Sequence, residues 1–251
     1  LTPRQIYYPD PDTFKAELEG ARFTDIERRG KYLLFRLGPA LLVAHLRMSG
    51  HLYISAPERP REKHLHVVFH LDDGSELRYA DQRKFGGFHL VGPDGRGLPP
   101  GLMHLGPEPL SDDFTVERLA AALSGRRTPV KAALLNQELV AGLGNIYADE
   151  ALFCARIHPA RQAASLTPAE VARLHGCIRS VLTRAVERRG TTFSLYRDGE
   201  GKAGDMYDEL QVFDRTGEPC PVCGTPILKV VVAQRGTHFC PHCQPAPEGV
   251  V

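Results

Sequence analysis

The residues with the clearest chemical purpose lie near the end of the chain, in CPVCGTPILKVVVAQRGTHFCPHC. Two Cys-x-x-Cys pairs, Cys220 with Cys223 and Cys240 with Cys243, enclose 16 residues that read as a β-hairpin. Four thiolates at that spacing suit one tetrahedral Zn²⁺, with Gly224 at the knuckle. A closed site of this kind leaves no open position for a substrate, so its purpose is structural. Metal binding is worth on the order of 10 kcal/mol of folding free energy, enough to stiffen a hairpin with little core of its own. Disulfides in a secreted chain are the competing reading. They fit poorly with an opening stretch, LTPRQIYYPDPD, that is polar and proline-rich rather than signal-like. His238 and His242 could stand in for a thiolate, but the symmetric pairs make them bystanders.

What the hairpin carries is Arg235, followed by Gly236, where backbone can approach a partner closely. A guanidinium is a natural fork for phosphate; taken alone, a solvated surface arginine is the plainer reading. A second group is GLGNIYADE (142–150), in which a glycine turn opens a helix beside Asn145 and Tyr147. That geometry suits an anion, although an ordinary helix–turn–helix corner would look the same. Arg126, Arg127 and Lys131 lie just upstream. A third group sits in the first half of the chain. Lys31 heads an apolar strand, while Met48 in HLRMSG and Arg83 and Phe85 in DQRKFGGF fall on turns. Apolar side chains on turns usually complete a core; exposed beside arginine, they would suit a wedge in a base stack. His64 and His66 are surface or phosphate-contact candidates.

The elements that must hold these groups change character along the chain. From Arg22 to Val91 the pattern is strand-like, rich in β-branched, leucine and aromatic residues, with Asp73-Gly74 marking a hairpin turn. No helix-period segment separates these strands, so they predict an antiparallel sandwich or barrel. GPDGRGLPPG (92–101) reads as a linker. From Phe114 to Gly190 the apolar period becomes helical. Thr167-Pro168-Ala169-Glu170 is a capping box opening the last long helix, and Gly190 is its stop. Cys154 and Cys177, isolated in helical sequence, are expected to be buried free thiols in a reducing cytoplasm.

Composition bounds the rest. A chain of 251 residues with 42% hydrophobic and 24% charged content is globular, with room for one large or two modest domains. No apolar run approaches the ~18 residues of a membrane span. The net charge of +1 decides nothing about a nucleic-acid partner, since only clustering of the 31 basic residues could.

Together, RRGKYLL, HLRMSG, DQRKFG, LGPEPLSDDF, VAGLGNIYADEALF and VVAQRGTHFCPHCQ resemble the formamidopyrimidine-DNA glycosylase family, the Fpg branch of Fpg/Nei, in family order over residues 28 to 244. The resemblance implies an α+β fold. An N-terminal antiparallel β-sandwich domain (1–100) faces a helical domain with a helix–two-turn–helix motif (101–205), followed by a C-terminal zinc β-hairpin (206–251). Damaged double-stranded DNA would lie in the cleft, bound by a monomer in the bacterial cytoplasm. Met48, Arg83 and Phe85 would fill the hole left by an everted base. Lys31 would contact phosphate and assist strand scission, with Arg235 also at the catalytic centre on the phosphates flanking the lesion. Asn145, Tyr147, Arg126, Lys131 and His66 would make backbone contacts, and SLYRDGEGKAGDMY (194–207) would close over the base.

One departure matters. Members of the family begin with a proline, whose amine attacks the sugar, and a glutamate for acid–base work; this sequence begins at Leu1. The expectation is that the natural protein carries a segment ahead of it. The implied activity is excision of oxidised purines with strand nicking. Its rivals are a non-catalytic binder of kinked DNA, a Nei-like enzyme for oxidised pyrimidines, and a zinc-ribbon protein of RNA or protein complexes.

Overall fold

The structure, a computed structural model, describes residues 3–191 and 204–246, so most of the expected base-closing segment lies outside the described residues. The chain divides into two compact units, one built on Leu1–His104 and the other on Leu105–Gly190 with Met206–Val251.

In the first unit, strands β1 (Ile6–Tyr8), β2 (Asp25–Arg29), β3 (Tyr32–Leu37), β4 (Ala40–His45) and β8 (Gly87–Val91) form a sheet in the order β1-β8-β4-β3-β2. Strands β5 (Gly50–Ser55), β6 (Leu65–His70) and β7 (Glu76–Asp81) form a second sheet, β5-β7-β6. Phe35, Leu42 and Phe88 of the larger sheet share one core with Val67 and Tyr79 of the smaller, and with Phe14 of helix α1 (Pro11–Leu18). This is the expected sandwich, antiparallel except where β1 runs parallel to β8. The Asp73-Gly74 turn is present between β6 and β7, with Gly74 at φ 84° and Leu71 N–H donating to Ser75 O. The 92–101 stretch turns through Gly95 and Gly97, both at positive φ, into a short helix α2 (Pro100–Met103).

The second unit holds α3 (Val116–Leu123), α4 (Val130–Leu135), α5 (Asn145–Cys154) and α6 (Pro168–Glu187), with the hairpin β9 (Leu228–Val232) and β10 (Arg235–Phe239). Thr167 and Glu170 cap α6 reciprocally, as their spacing predicts, and Gly190 follows the helix at φ 83°. Leu134, Leu143, Leu152, Ile157 and Leu174 are fully buried at its core. Between α4 and α5, Gln137 fastens the corner, donating to Leu135 O and Leu143 O and accepting from Gly142 N–H.

The hairpin does not stand apart from the helices. Phe153 of α5 packs with Val212, Ile227 and three of the cysteines, and Gln244 bonds both Cys240 N–H and Ile157 O. Glu150 of α5 accepts from three successive amides, of Gln211, Val212 and Phe213, each at 2.9 Å. Cys154 and Cys177 are not free thiols: packing of α5 against α6 brings their Cα atoms to 5.7 Å, and they form a disulfide. Their helical spacing said nothing about which residues would meet across that interface. No helix among the described residues is long and apolar enough to cross a membrane.

Candidate nucleic-acid interface

In the sheet unit, two loops present the three side chains expected to form a wedge. Met48 lies between β4 and β5, Arg83 and Phe85 between β7 and β8. Met48 is 74% exposed and Phe85 50%, so neither completes a core. They are nevertheless in contact: Arg83 Nη1 lies 3.0 Å from Met48 Sδ, and its guanidinium sits 5.0 Å from the Phe85 ring centroid. A cation over an aromatic face is attractive by roughly 0.5–1 kcal/mol at an exposed site. The neighbours of these residues are strained, since Arg47 and Lys84 take φ of 56° and 58°. Such left-handed, non-glycine positions cost ~1–3 kcal/mol each and persist only where their surroundings hold them.

Beside Met48 opens a pocket of about 260 Å³ whose walls include Arg28, Lys31, Tyr32, His45 and Arg47, and none of whose lining residues is acidic. Lys31 reaches the surface, yet partial burial pushes its ammonium below the ordinary lysine value. His45 is driven down to about 4, by burial first and then by the charges of Arg47 and Lys31. Its Nδ1 accepts from Arg47 N–H at 3.0 Å, which leaves the proton of the neutral ring on Nε2. A pocket walled by cations and a neutral imidazole donor can take an anion such as phosphate.

His66 is elsewhere. It is only 4% exposed, and its Nε2–H donates to Asp81 O at 2.9 Å. The expected phosphate contact is therefore corrected: β6 turns this ring inward, where it braces the strand beneath the Arg83 loop.

In the helical unit, Arg235 stands exposed at the head of β10, next to a two-residue turn made by Ala233 and Gln234 at φ 49° and 59°. That is the hairpin turn usually built from Asn-Gly. Asn145, at the first turn of α5, donates to Gly236 O at 3.0 Å, tying the glycine corner to the strand that bears Arg235. Tyr147 is half-buried against the helical core, and Arg126 is exposed after α3 with its Nε on Ala122 O. Lys131 differs from the expectation. It is fully buried, 2.6 Å from Asp149 Oδ1, and it donates to Thr237 Oγ1 and Gly236 O. Asp149 in turn accepts from His238 N–H. Lys131 cannot reach a phosphate; it holds β10 in register on α4 and α5.

The four hairpin cysteines place their sulfurs within 4.8 Å of one another, with neighbouring pairs at 3.5, 3.6 and 3.9 Å. Four thiolates about 2.3 Å from a tetrahedral ion would be ~3.8 Å apart, so the cluster fits zinc.

Comparison with known proteins agrees with this geometry. Residues 1–88 match the formamidopyrimidine-DNA glycosylase N-terminal domain, 105–197 the H2TH domain of the same glycosylase, and 217–246 the zinc finger found in FPG and IleRS. A formamidopyrimidine-DNA glycosylase of Symbiobacterium thermophilum is 82% identical over 250 residues, covering 100% of this chain and 82% of the relative. The chain belongs to the formamidopyrimidine-DNA glycosylase family. A Lactococcus lactis FPG mutant, solved in complex with a Fapy-dG containing DNA, matches with a TM-score of 0.91 at 40% identity, over 98% of this chain and 90% of that one. The Lactococcus lactis Fpg, solved with an abasic site containing DNA, matches with a TM-score of 0.91 at 41% identity and the same coverage.

Two residues of this glycosylase-family chain escaped the sequence reading. His45 precedes the Met48 turn in HLRMSG, but in sequence it looks like one more residue of an apolar strand. Asp81 opens DQRKFG and looks like a solvated turn residue, whereas it is fully buried. Only an accounting of the backbone amides in the following loop would have pointed to it.

Proposed function

We propose that the chain is a DNA repair glycosylase that everts oxidised purines, formamidopyrimidines among them, cleaves the glycosidic bond and nicks the strand. The observation that carries this reading is the assembled wedge of Met48, Arg83 and Phe85, exposed yet in mutual contact. A base inside a duplex is out of reach until it is flipped, at a cost of a few kcal/mol. Stacking of the Phe85 ring on the opened step offsets ~1–3 kcal/mol of that cost. The cationic pocket at Lys31 and His45, and Arg235 on the hairpin, would grip phosphates; such contacts set register and carry no sequence information. One structural Zn²⁺ held by Cys220, Cys223, Cys240 and Cys243 keeps the Arg235 strand rigid. The protein would act as a monomer in the bacterial cytoplasm.

Nicking through a covalent intermediate requires a neutral amine. An N-terminal α-amine has a reference pKa of about 8 and a lysine about 10.4, so at neutral pH the first is a few hundredfold better supplied with free base. Burial moves Lys31 in the helpful direction. The test compares borohydride-trapped adduct on one oxidised-guanine duplex for the chain beginning at Leu1 and for a version extended to begin with Pro-Glu. The extended form should trap readily and nick, and the shorter form should bind with little trapping. Equal trapping would transfer the nucleophile's role to Lys31; no trapping or nicking by either would defeat the lyase assignment.

A further inference from the structure

The wedge residues sit on two loops whose ends are fixed by strand pairing, His45 opposite Gly87 and Gly50 opposite Asp81, while the segments between those pairs carry the side chains that meet. We propose that Asp81 is a positioning residue that sets the spacing of Met48, Arg83 and Phe85 by clamping both loops to one buried carboxylate. The proposal rests on the wedge reading above and adds to it the group that holds the wedge together.

Asp81 is fully buried at the end of β7. Its Oδ1 accepts from the hydroxyl of Ser49, next to Met48, and from Arg83 N–H at 3.1 Å. Its Oδ2 accepts from Phe85 N–H and Gly86 N–H, both at 2.9 Å, and from Tyr79 Oη at 3.1 Å. Ser49 Oγ also accepts from Arg83 N–H at 3.0 Å, closing a triangle between the loops. A side-chain carboxylate thus collects the amides that a tight turn leaves unpaired, and burying them without a partner would be costly. Lys84, between Arg83 and Phe85, is held at φ 58° within this grip. From the other side, buried Gln5 donates to Lys84 O and Gly86 O, and Tyr7 Oη donates to Phe85 O. Every backbone carbonyl from Lys84 to Gly86 therefore has a partner as well.

The backbone leaves the loops no slack. A Cβ on Gly86 would lie 2.6 Å from His45 O and 2.2 Å from Tyr79 Oη, and one on Gly50 would lie 2.4 Å from Leu46 O. The loops are packed backbone to backbone, and Asp81 fixes the register at which they touch. Its charge is stable there: burial pushes the carboxyl up, but hydrogen bonds from Ser49, Gly86, Tyr79 and Arg83 outweigh that and hold it below the usual aspartate value.

Asp81→Asn is the discriminating change, because an amide keeps one acceptor and turns the other into a donor. The Ser49 and Tyr79 hydroxyls can rotate to accommodate it; the amides of Arg83, or of Phe85 and Gly86, cannot. The full chain and its variants would be mixed with a duplex bearing a stable abasic-site analogue and 2-aminopurine beside it. Opening is read from fluorescence, grip from affinity for undamaged duplex, and folding from the melting temperature. The expected result is a folded Asp81→Asn protein whose undamaged-duplex affinity stays within about threefold of wild type and whose opening signal falls about fivefold or more. A folded Asp81→Asn variant with wild-type opening overturns the proposal. If that variant does not fold, Ser49→Ala decides: reduced opening at an unchanged melting temperature supports the clamp, and unchanged opening overturns it. Phe85→Ala separates the two ideas. Wild-type opening in Phe85→Ala defeats the wedge and the clamp with it, whereas loss in Phe85→Ala alone defeats only the clamp.

Discussion

In the sheet unit the working side chains face solvent, and the buried group beneath them is a carboxylate, Asp81, that collects backbone amides. In the helical unit the arrangement is reversed. A cation expected at the surface, Lys131, is itself the buried group, and a four-cysteine cluster and an ion pair hold one exposed arginine in place. The difference follows from what each scaffold supplies. The sandwich already has a packed core, so its loops need only local clamps to hold strained turns. The hairpin has little core, with Leu228, Val230 and Val231 all exposed, and depends on thiolates and buried charge for its rigidity.

Removing the metal should therefore break the comparison most sharply. Cys240→Ser, or prolonged chelation, should loosen the hairpin and lower DNA affinity by two orders of magnitude or more, since a structural zinc is worth on the order of 10 kcal/mol. The sandwich should keep its amide-exchange protection. Metal analysis paired with hydrogen exchange by mass spectrometry checks this; correctly folded protein without zinc, or loss of protection throughout the sandwich, would contradict it.

A smaller effect distinguishes Lys131 from Arg235. Lys131→Met leaves Asp149 buried without its cation, and breaking such a pair costs ~3–5 kcal/mol. Adding Asp149→Leu should recover only part of this, because His238 N–H then loses its acceptor, at ~1–3 kcal/mol. Arg235→Ala should leave urea stability within ~0.5 kcal/mol but flatten the salt dependence of DNA binding by about one unit of log–log slope. Urea titrations beside affinity measured over a salt series separate the two. Equal stability of Lys131→Met and wild type would return Lys131 to the surface role that the sequence suggested.

How much could be read in advance follows the same division. The cysteine pairs, the Asp73-Gly74 turn and the capping box at Thr167 were legible because each is a local pattern with a local cause; the grouping of Met48, Arg83 and Phe85 came only from the family resemblance, since apolar side chains on turns by themselves read as core. The directions of Lys131 and His66 were not legible. A lysine on an amphipathic helix reads as solvated, and nothing near Lys131 in sequence announces Asp149, Thr237 or Gly236 as its partners. His66 turns inward on a strand whose register shifts between Leu65 and Val67, and such an irregularity undoes a simple alternation argument. The parallel β1–β8 pair and the Cys154–Cys177 bridge are likewise contacts between distant segments. Arg47, Lys84, Ala233 and Gln234 share a further trait: each adopts a left-handed conformation that sequence assigns to glycine or asparagine, and each lies beside a candidate DNA-contacting residue. Local rules fail at these positions because surrounding structure, rather than propensity, holds the backbone there.

The mildest test concerns His45, which makes the sheet unit sensitive to acid at one identifiable point. Its imidazole titrates at about 4 in the folded chain, lowered by burial and by the charges of Arg47 and Lys31, against an ordinary value of 6.5. A base whose folded pKa is depressed binds its proton more readily when unfolded, so stability falls as pH drops from 6.5 towards 4 and levels off below that. At pH 5 the loss from this one group should be about 2 kcal/mol relative to pH 7. Carboxylates contribute their own acid dependence, so the measurement is a difference: urea midpoints for wild type and His45→Gln at both pH values. The variant should be less sensitive to the drop from pH 7 to pH 5 by that amount. Phosphate in the pocket should act in the opposite sense, stabilising the imidazolium and drawing its titration back towards 6.5. Proton NMR of the His45 ring with and without abasic-site duplex follows that shift directly. A ring that titrates near 6.5 in the free protein would mean that it is neither buried nor crowded by Arg47 and Lys31, and the cationic pocket would need to be redrawn.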